Sequence, residues 1–399
     1  MASYHFENKV YIVEEPTVVT GSNQIIDGQG ALLVGTDKGG IGLLIENCEH
    51  VVIQNFRLRQ FKLGIVARNC KHITIRKCDI SDTAETPPNT EFLNIWLPAS
   101  EAIGGGILLE GVTDSTIELN NLEHQMNGLL AFRCQRLTVQ QNQANYCSGA
   151  GFHLYATCDS RYLNNHADYC SRYYQSADDL QRGHMGADAA GFVIVHDSCR
   201  NTFRQNVARM GGDGFFLAGL TNMLLHHPCN DNLFEANDGS YSPNIAFEAT
   251  FSSGNIFRRN IARACNYGFW LGFSRDGLLE GNEIAENRQA GIATENGLNF
   301  KVTQNHFRRN RHGVLLWSKH MPAFLKAVPE NETRANWEIE SNRFVENHIA
   351  VRIAPDQDHG IRPHRPAAPL LGAHRIGENV LKRNQTDFDV HGAEGRASL

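Results

Sequence analysis

The stretch NGLLAFRCQRLTVQQNQANYCSGAGFHLYATCDSRYLNNHADYC, from Asn127 to Cys170, contains one pattern twice. In each copy a glycine precedes a short apolar run, a cysteine follows that run, and an asparagine closes the next run. Gly128 is matched by Gly151, and Asn142 by Asn165, each 23 residues later. A period of this length is typical of repeat proteins whose units stack along one axis.

The same period extends through most of the chain. Glycines in this context are separated mainly by 22 or 23 residues, and wider gaps hold insertions; they are Gly42, Gly64, Gly106, Gly128, Gly151, Gly191, Gly214, Gly268, Gly291 and Gly313. Within the widest gap, the segment NIAFE is interpreted as a coil in which Asn244 takes the place of Gly291. Asparagines close a second set of runs: Asn55, Asn120, Asn142, Asn165, Asn206, Asn237, Asn260, Asn282, Asn305 and Asn342.

Each repeat contains about three runs of three to five β-favouring residues, separated by Gly, Asn and Asp. The leucine consensus of leucine-rich repeats is absent, so the pattern predicts coils of three short strands stacked in parallel. The repeat resembles the right-handed parallel β-helix of the pectate-lyase-like superfamily over residues 24–390. The resemblance implies an all-β solenoid, with 1–23 as an N-terminal cap and 391–399 as a tail.

Stacking assigns a role to each recurrent residue. Glycine would serve the sharp turn into the next strand, and asparagine would tolerate a left-handed bend while its amide bonds to the asparagines above and below. Eight of the ten cysteines are predicted to fill two columns as small buried hydrophobes: Cys48, Cys70, Cys134, Cys158 and Cys199 in one, Cys147, Cys170 and Cys265 in the other. Disulfides or a zinc site are the alternative, but the sequence contains no CxxC pair.

Composition limits the partners. The hydrophobic content of 41% predicts a globular chain, and the net charge of −6 gives no general attraction for nucleic acid or an anionic membrane. The N-terminus lacks a basic segment followed by an apolar run, so the sequence as written predicts a cytoplasmic protein unless a leader has been removed. Thiols in the reduced form also favour a reducing compartment. The oligomeric state is left open.

Five insertions border the glycine-led strands, so these strands are predicted to form the floor of a walled groove. The insertions are 79–102, 171–189, 220–231, 318–335 and 355–374. Counted from each glycine, the second and fourth residues should face outward. In the later coils these positions mix carboxylates with aromatic rings, as sugar-binding grooves do. The predicted platforms and flanking groups are Phe216, Tyr267, Trp270, His312 and Trp317. Alternatively, the inserted loops cover this face as a secondary core.

A first candidate catalytic group is the pair Glu248 and Glu295, predicted to lie two coils apart in one column, with backbones about 10 Å apart. One could protonate a leaving glycosidic oxygen while the other activates water. Asp213 and His312 resemble, locally, the Asp-Gly and His-Gly pieces of polygalacturonases, whose paired Asp and Asn-Thr-Asp run are missing here. The alternative for both glutamates is a solvated or ion-paired surface role.

A second candidate group is His153 with Tyr155, beside the 171–189 insertion. His and Tyr could abstract and deliver protons in a uronate lyase or C5-epimerase, with a cation such as Arg172 or Arg182 against the carboxylate. The insertion would add Tyr173, Tyr174, Asp178, Asp179, His184 and Asp188. Its aspartates could alternatively hold calcium, although their spacing fits no calcium-loop motif. Ordinary hydrogen-bonded histidines are the alternative.

The sequence therefore predicts a carbohydrate-active enzyme that cleaves or transfers a glycosidic bond of an oligo- or polysaccharide. A uronic-acid lyase or epimerase, and a non-catalytic glycan-binding β-helix, are the alternatives. No cofactor is expected apart from possible calcium. Copper delivery by a protein of this fold is disfavoured, because the six methionines and the histidines form no compact cluster in the sequence.

Overall fold

The computed structural model describes residues 1–87, 93–172, 188–332, 335–354 and 374–390. The chain forms two compact units. The N-terminal unit comprises Met1–Ile194 and Ser198–Gly212, and the C-terminal unit comprises Val195–Asp197 and Asp213–Leu399. Each unit consists of parallel sheets whose strands return once per coil, which is the predicted β-helix.

The N-terminal unit has two extended sheets. The glycine sheet, named for its recurrent glycines, contains Val10–Ile12, Leu32–Glu46, Arg57–Arg68, Gly105–Glu110, Leu129–Phe132, Phe152–Tyr155 and Ala190–Val195, with Thr17–Val19 and Asp79–Ile80 paired to its early strands. The opposing sheet contains Ala2–His5, Gln24–Asp27, Val51–Gln54, Thr74–Arg76, Thr116–Glu118, Thr138–Gln140, Arg161–Leu163 and Thr202–Arg204. Residues 2–19 thus already contribute strands to the first coils.

The C-terminal unit has three sheets. Its glycine sheet contains Asp213–Ala218, Ile245–Thr250, Tyr267–Trp270, Ala290–Glu295, His312–Trp317, Ile349–Ile353 and Thr386–Val390. The opposing sheet contains Leu233–Glu235, Ile256–Arg258, Leu278–Glu280, Lys301–Thr303, Glu338–Glu340 and Arg375–Ile376. The third contains Ile261–Arg263, Glu283–Ala285, His306–Arg308, Arg343–Val345 and Val380–Lys382.

In the part of the chain that the structure describes, helical structure is confined to short segments. They are the 3₁₀ turns Ala99–Glu101 and Pro329–Glu332 and the α-helical turn Pro322–Leu325. Among the described residues, no helix has the length and apolar composition that a membrane crossing requires.

The recurrent glycines are in register, but their physical role differs from the prediction. A Cβ on Gly128 would lie 2.5 Å from the carbonyl oxygen of Gly151, and one on Gly268 would lie 2.5 Å from that of Gly291. Close approach between successive coils therefore selects glycine here, rather than a left-handed turn. One coil accommodates a Cβ at this position, because Ala246 is in register with Gly214 and Gly268.

The strand pairing corrects the alignment of the segment NIAFE. Ile245 pairs with Tyr267, and Phe247 pairs with Phe269, so Ala246 and not Asn244 occupies the glycine position. Glu248 consequently pairs with Trp270. The predicted alignment was wrong by two residues, because it placed Asn244 at the glycine position that Ala246 occupies.

The asparagine ladder is present as predicted. In the N-terminal unit the side-chain amide of Asn142 donates to Oδ1 of Asn165 at 3.0 Å and to the carbonyl of Ile117 at 2.9 Å. Its own Oδ1 accepts from the amide of Asn120 at 2.9 Å. The left-handed backbone lies one residue earlier, at Gln141, with φ of 55°. Asn55 departs from the pattern because it takes that left-handed position itself.

Aromatic side chains also stack between coils in the core. Phe247 lies between Phe215 and Phe269 in the C-terminal unit, with ring centroids 4.8 and 5.0 Å away, and it is fully buried. Fully burying such a side chain contributes roughly 1.5–3 kcal/mol. The core is therefore built from columns of like residues.

The cysteines are all thiols, and eight of the ten are buried. Cys158 and Cys199 are the exceptions. Each lies one residue beyond the inward position predicted for it. In the backbone pairing between coils, Cys158 is in register with Gln135 rather than with Cys134. Thr157 takes the inward position next to Cys134, and its hydroxyl oxygen accepts a hydrogen bond from the backbone N–H of Cys134.

The first insertion covers the outer face of the N-terminal glycine sheet. Ala99 and Ala102 pack on a cluster that includes Val66, Leu108 and Leu130, which are all buried. This face is thus a secondary core, the alternative that the sequence had left open.

A buried ion pair holds this insertion. Arg172 and Asp188 have side chains only 1% exposed, with 3.8 Å between guanidinium nitrogen and carboxylate oxygen. The guanidinium donates to the carbonyl of Pro87 at 3.3 Å, and Asp188 accepts the backbone N–H of Leu93 at 2.8 Å. Both charges are therefore committed to anchoring the loop rather than to a ligand.

The ladder predicts a stability effect. Asn142→Ala removes an amide that makes hydrogen bonds with the coils on both sides, so we expect the free energy of unfolding to fall by about 2–4 kcal/mol in denaturant titrations. Gln143→Ala, one residue away with an exposed side chain, is the control and should change it by less than about 0.5 kcal/mol. Equal effects for both variants would contradict the ladder's role.

The buried ion pair predicts a second effect. Arg172→Met leaves the Asp188 carboxylate in a water-excluded site without its cation, and should lower the free energy of unfolding by about 3–5 kcal/mol. The matched control is Arg136→Met, which removes the exposed partner of Asp114 and should cost at most about 1 kcal/mol. Thermal or denaturant unfolding of both variants measures the difference; a small effect for Arg172→Met would mean that the pair does not anchor the loop.

Candidate functional site

The two predicted catalytic glutamates lie in different columns. Glu248 is in register with Trp270 and Ala293, whereas Glu295 is in register with Trp317. They are two coils apart and also offset by two residues along the strands. The predicted single column of paired carboxylates is therefore wrong, as a direct result of the misplaced glycine position.

Glu295 is held by a cation. Lys319 Nζ lies 3.5 Å from its carboxylate, and both side chains are less than 15% exposed. The neighbouring Asn296 fixes the segment that carries Lys319, because its amide donates to the Lys319 carbonyl at 2.8 Å. This is the ion-paired alternative considered for Glu295.

Two of the predicted sugar platforms are buried. Trp317 is completely buried, with Leu315 and the two alanines Ala290 and Ala293 in the same cluster, and Phe216 is only 6% exposed. A ring without an open face cannot stack on a sugar, so both fail as platforms. Aromatic residues on an outward column were mistaken for accessible ones because the sequence does not show what covers them.

Trp270 and Tyr267 remain at the surface. Both are half-buried, with ring centroids 4.9 Å apart in an edge-to-face arrangement, and Trp270 rests on Trp317 at 5.4 Å. The buried indole thus supports the accessible one. Packing of this kind fixes an aromatic platform before any ligand arrives.

Glu248 shares this surface and has unusual electrostatics. Burial raises the pKa of Glu248 well above its usual value, and the nearby Asp213 carboxylate raises it further. Asp213 is itself buried and accepts the backbone N–H of Ile245 at 2.9 Å. Burial and the Asp213 charge both favour the protonated form of the Glu248 carboxyl group.

His312 lies at the start of a later strand, where it is 7% exposed. Its Nδ1 donates to the carbonyl of Gln289 at 2.8 Å, which leaves Nε2 as the acceptor of a neutral ring. Burial lowers the pKa of His312 to about 4, and the charges of Arg352 and Arg311 act in the same direction. The ring is therefore uncharged at neutral pH.

The column of Glu248 and Trp270 ends in a charged pair that the sequence reasoning missed. Arg352 is in register with Leu315, and its guanidinium lies 3.1 Å from the carboxylate of Asp389 on the next coil. Lys319, the partner of Glu295, was also missed. Ala350 occupies the glycine position in the coil of Arg352, so a search for recurrent glycines ends one coil earlier, at Gly313. Accepting alanine at the glycine position would have identified Arg352 from the sequence.

The His153 site is closed by the first insertion. His153 is 5% exposed, and its Nε2 lies 2.9 Å from the carbonyl of Ile95. The adjoining cavity, lined by Leu93, Met126 and Leu130 among others, has only about 60 Å³ of water-accessible space. Tyr155 is half-buried against Phe132, with ring centroids 5.5 Å apart. The predicted proton-transfer pair is thus part of the covered face, and Asp188 belongs to its loop anchor.

The remaining members of that predicted group, Tyr173, Tyr174, Asp178, Asp179, Arg182 and His184, lie outside the described residues. Within the described ranges, no group of three or more His, Cys, Asp or Glu side chains is arranged to hold a metal ion.

The buried imidazole predicts a pH dependence. Because the folded pKa of His312 is about 4 and the unfolded value is about 6.5, the unfolded chain binds more protons between these limits. The contribution of neutral His312 to the free energy of unfolding is complete above pH 6.5. It is lost as the pH falls toward 4, and the loss is at most roughly 3 kcal/mol. Unfolding free energies measured from pH 7 to 4 should therefore fall less steeply for His312→Gln than for the wild type, whereas the exposed control His320→Gln should follow the wild type.

Comparisons with solved structures show the same architecture. The A-module of the Azotobacter vinelandii mannuronan C-5 epimerase AlgE4 matches with a TM-score of 0.50 at 13% identity, covering 100% of this chain and 91% of that one. A double mutant of the periplasmic alginate epimerase AlgG matches with a TM-score of 0.51 at 13% identity, covering 96% and 78%. At such identities the likeness shows the fold alone. None of the curated protein sequences is significantly similar to the chain.

Two family profiles match the sequence. The profile described as "Right handed beta helix region" matches residues 19–208, which agrees with the predicted fold. The profile described as "Periplasmic copper-binding protein (NosD)" matches residues 159–362, just over half of the 399 residues. The chain is therefore a right-handed parallel β-helix protein that belongs to the NosD family.

Proposed function

We propose that the chain is a carbohydrate-active enzyme that hydrolyses or transfers a glycosidic bond on the C-terminal glycine sheet, with Glu248 as the proton donor. The observation that carries the proposal is a carboxyl group with a strongly raised pKa beside half-exposed aromatic rings. A general acid must be protonated at working pH, and an aromatic surface binds the face of a sugar ring.

The chemistry assigns separate roles to the two carboxyl groups. Glu248 would give its proton to the leaving glycosidic oxygen as the bond to the anomeric carbon breaks, and water or an acceptor hydroxyl would attack that carbon and lose its proton to solvent. Asp213 is a positioning residue, since it acts on the reaction through the pKa of Glu248. Trp270 and Tyr267 would hold the sugar over the acid.

The compared epimerases and the family description support coarser parts of the proposal. The two neighbours that share the fold are named as a mannuronan epimerase and an alginate epimerase, which is compatible with a polysaccharide substrate. The family description names a periplasmic protein, which favours an exported location over the cytoplasmic one expected from the sequence. It also names copper, whereas the described part of the chain has no group of three or more His, Cys, Asp or Glu side chains arranged to hold a metal ion.

The test is incubation with a panel of oligosaccharides, with product masses measured at pH 7. Hydrolysis adds one water per bond cleaved, elimination adds none, and epimerisation leaves the mass unchanged. We expect addition of water, and Glu248→Gln should reduce the rate by about 100- to 10,000-fold, because the amide cannot donate the proton. Activity of the wild type should fall only as the pH rises through the elevated pKa of Glu248.

The control is Glu283→Gln, an exposed carboxylate on the third sheet of the same unit, which should leave the rate unchanged. An unsaturated product, or full activity in Glu248→Gln, would contradict the proposal. Binding without turnover would indicate a glycan-binding module.

A further inference from the structure

Two thiols lie side by side on successive coils of the N-terminal unit. Cys158 and Cys199 are the two cysteines that are not fully buried. The backbone N–H of Cys199 points at Cys158 Sγ, 3.3 Å away, and the carbonyl of Cys199 accepts the N–H of Asp159 at 3.1 Å. The pair therefore lies at the turn where one coil rests directly on the other.

The surroundings stabilise a thiolate at Cys158. The Cys199 thiol donates a hydrogen bond to its sulfur, burial opposes ionisation, and the Cys199 N–H and the Arg200 charge favour it, so that the pKa of Cys158 falls to about 6. The Asp159 charge raises the pKa of Cys158, but the Arg200 guanidinium donates to the Asp159 carboxylate at 2.7 Å. Thiolate character and partial exposure are what make a cysteine reactive.

The stacking geometry also suits a disulfide. Equivalent positions on successive coils are about 4.8 Å apart, inside the Cα–Cα range of roughly 4.4–6.8 Å in which cysteines can be bridged. Cys147 and Cys170 are a contrasting cross-coil pair: both side chains are buried, and hydrogen bonding and burial raise the pKa of Cys147 well above normal. Cys158 and Cys199 are therefore accessible and ionisable, whereas Cys147 and Cys170 are inert.

We propose that Cys158 and Cys199 form a thiol–disulfide exchange site that reacts with small aliphatic or aromatic disulfides. The Cys158 thiolate attacks one sulfur of the disulfide, which breaks and releases a thiolate. The Cys199 thiolate then attacks Cys158 Sγ in the mixed disulfide and expels the second thiol. Two protein thiols are oxidised to one disulfide, the small disulfide is reduced to two thiols, and the two thiol protons pass to these products or to solvent.

The test uses the folded full-length chain and 5,5′-dithiobis(2-nitrobenzoate) at pH 7. We expect a fast phase that releases two chromophores per chain, and a product whose mass is lower by two hydrogens and includes no adduct. Cys158→Ser should slow this phase by at least about 10-fold. Cys199→Ser should release one chromophore and retain one nitrobenzoate adduct, because the resolving thiol is gone.

A pH profile separates a reactive site from mere exposure. The rate of the fast phase should reach half of its maximum near pH 6, and Arg200→Gln should move this midpoint upward, because a charge that favours the thiolate is lost. Cys134→Ala is the control, since Cys134 is buried and burial raises its pKa to about 12; the fast phase should be unchanged.

Three results would overturn the proposal. They are a wild-type rate no faster than that of the buried thiols, an adduct retained on the wild-type chain, and a midpoint at the ordinary thiol value near pH 8.5. Circular dichroism of each variant distinguishes loss of the site from loss of the fold.

Discussion

In-register stacking of successive coils is the constraint on which the rest of the structure depends. Each residue lies about 4.8 Å from the equivalent residues in the coils above and below, so a side chain at a given position must pack against side chains at the same position. Inside the coil this selects phenylalanines that stack, as Phe247 does, and asparagines whose amides bond in series, as Asn142 does. It also disfavours a Cβ where the backbones of successive coils approach closely, as at Gly128 and Gly268.

Two ionisable side chains that are not fully buried, Glu248 and Cys158, have shifted pKa values. Burial and the Asp213 charge raise the pKa of Glu248, and a hydrogen bond from the Cys199 thiol lowers the pKa of Cys158. In the N-terminal unit the apolar outer face is covered by the first insertion, fastened through Arg172 and Asp188. In the C-terminal unit, Trp270 and Glu248 on the corresponding face retain partial exposure.

The fold could be predicted from the sequence because its period repeats in glycine and asparagine alike, and errors at single coils do not change it. The candidate site could not be predicted to the same depth, because an error of one or two residues moves a side chain to another column. Ala246 in the glycine place shifted Glu248, and a one-residue offset hid the exposure of Cys158. Long-range packing was also out of reach, as the burial of Trp317 and the closure over His153 by Ile95 illustrate.

The proposed acid catalysis requires that burial and the Asp213 charge keep the Glu248 carboxyl group protonated at neutral pH. Infrared difference spectroscopy between the wild type and Glu248→Gln at pH 7 tests it most directly, since the carboxylic acid and the carboxylate absorb at separate frequencies. We expect a protonated carboxyl band that is present in the wild type and absent from the variant. A difference spectrum that contains only the carboxylate bands at pH 7 would contradict the account.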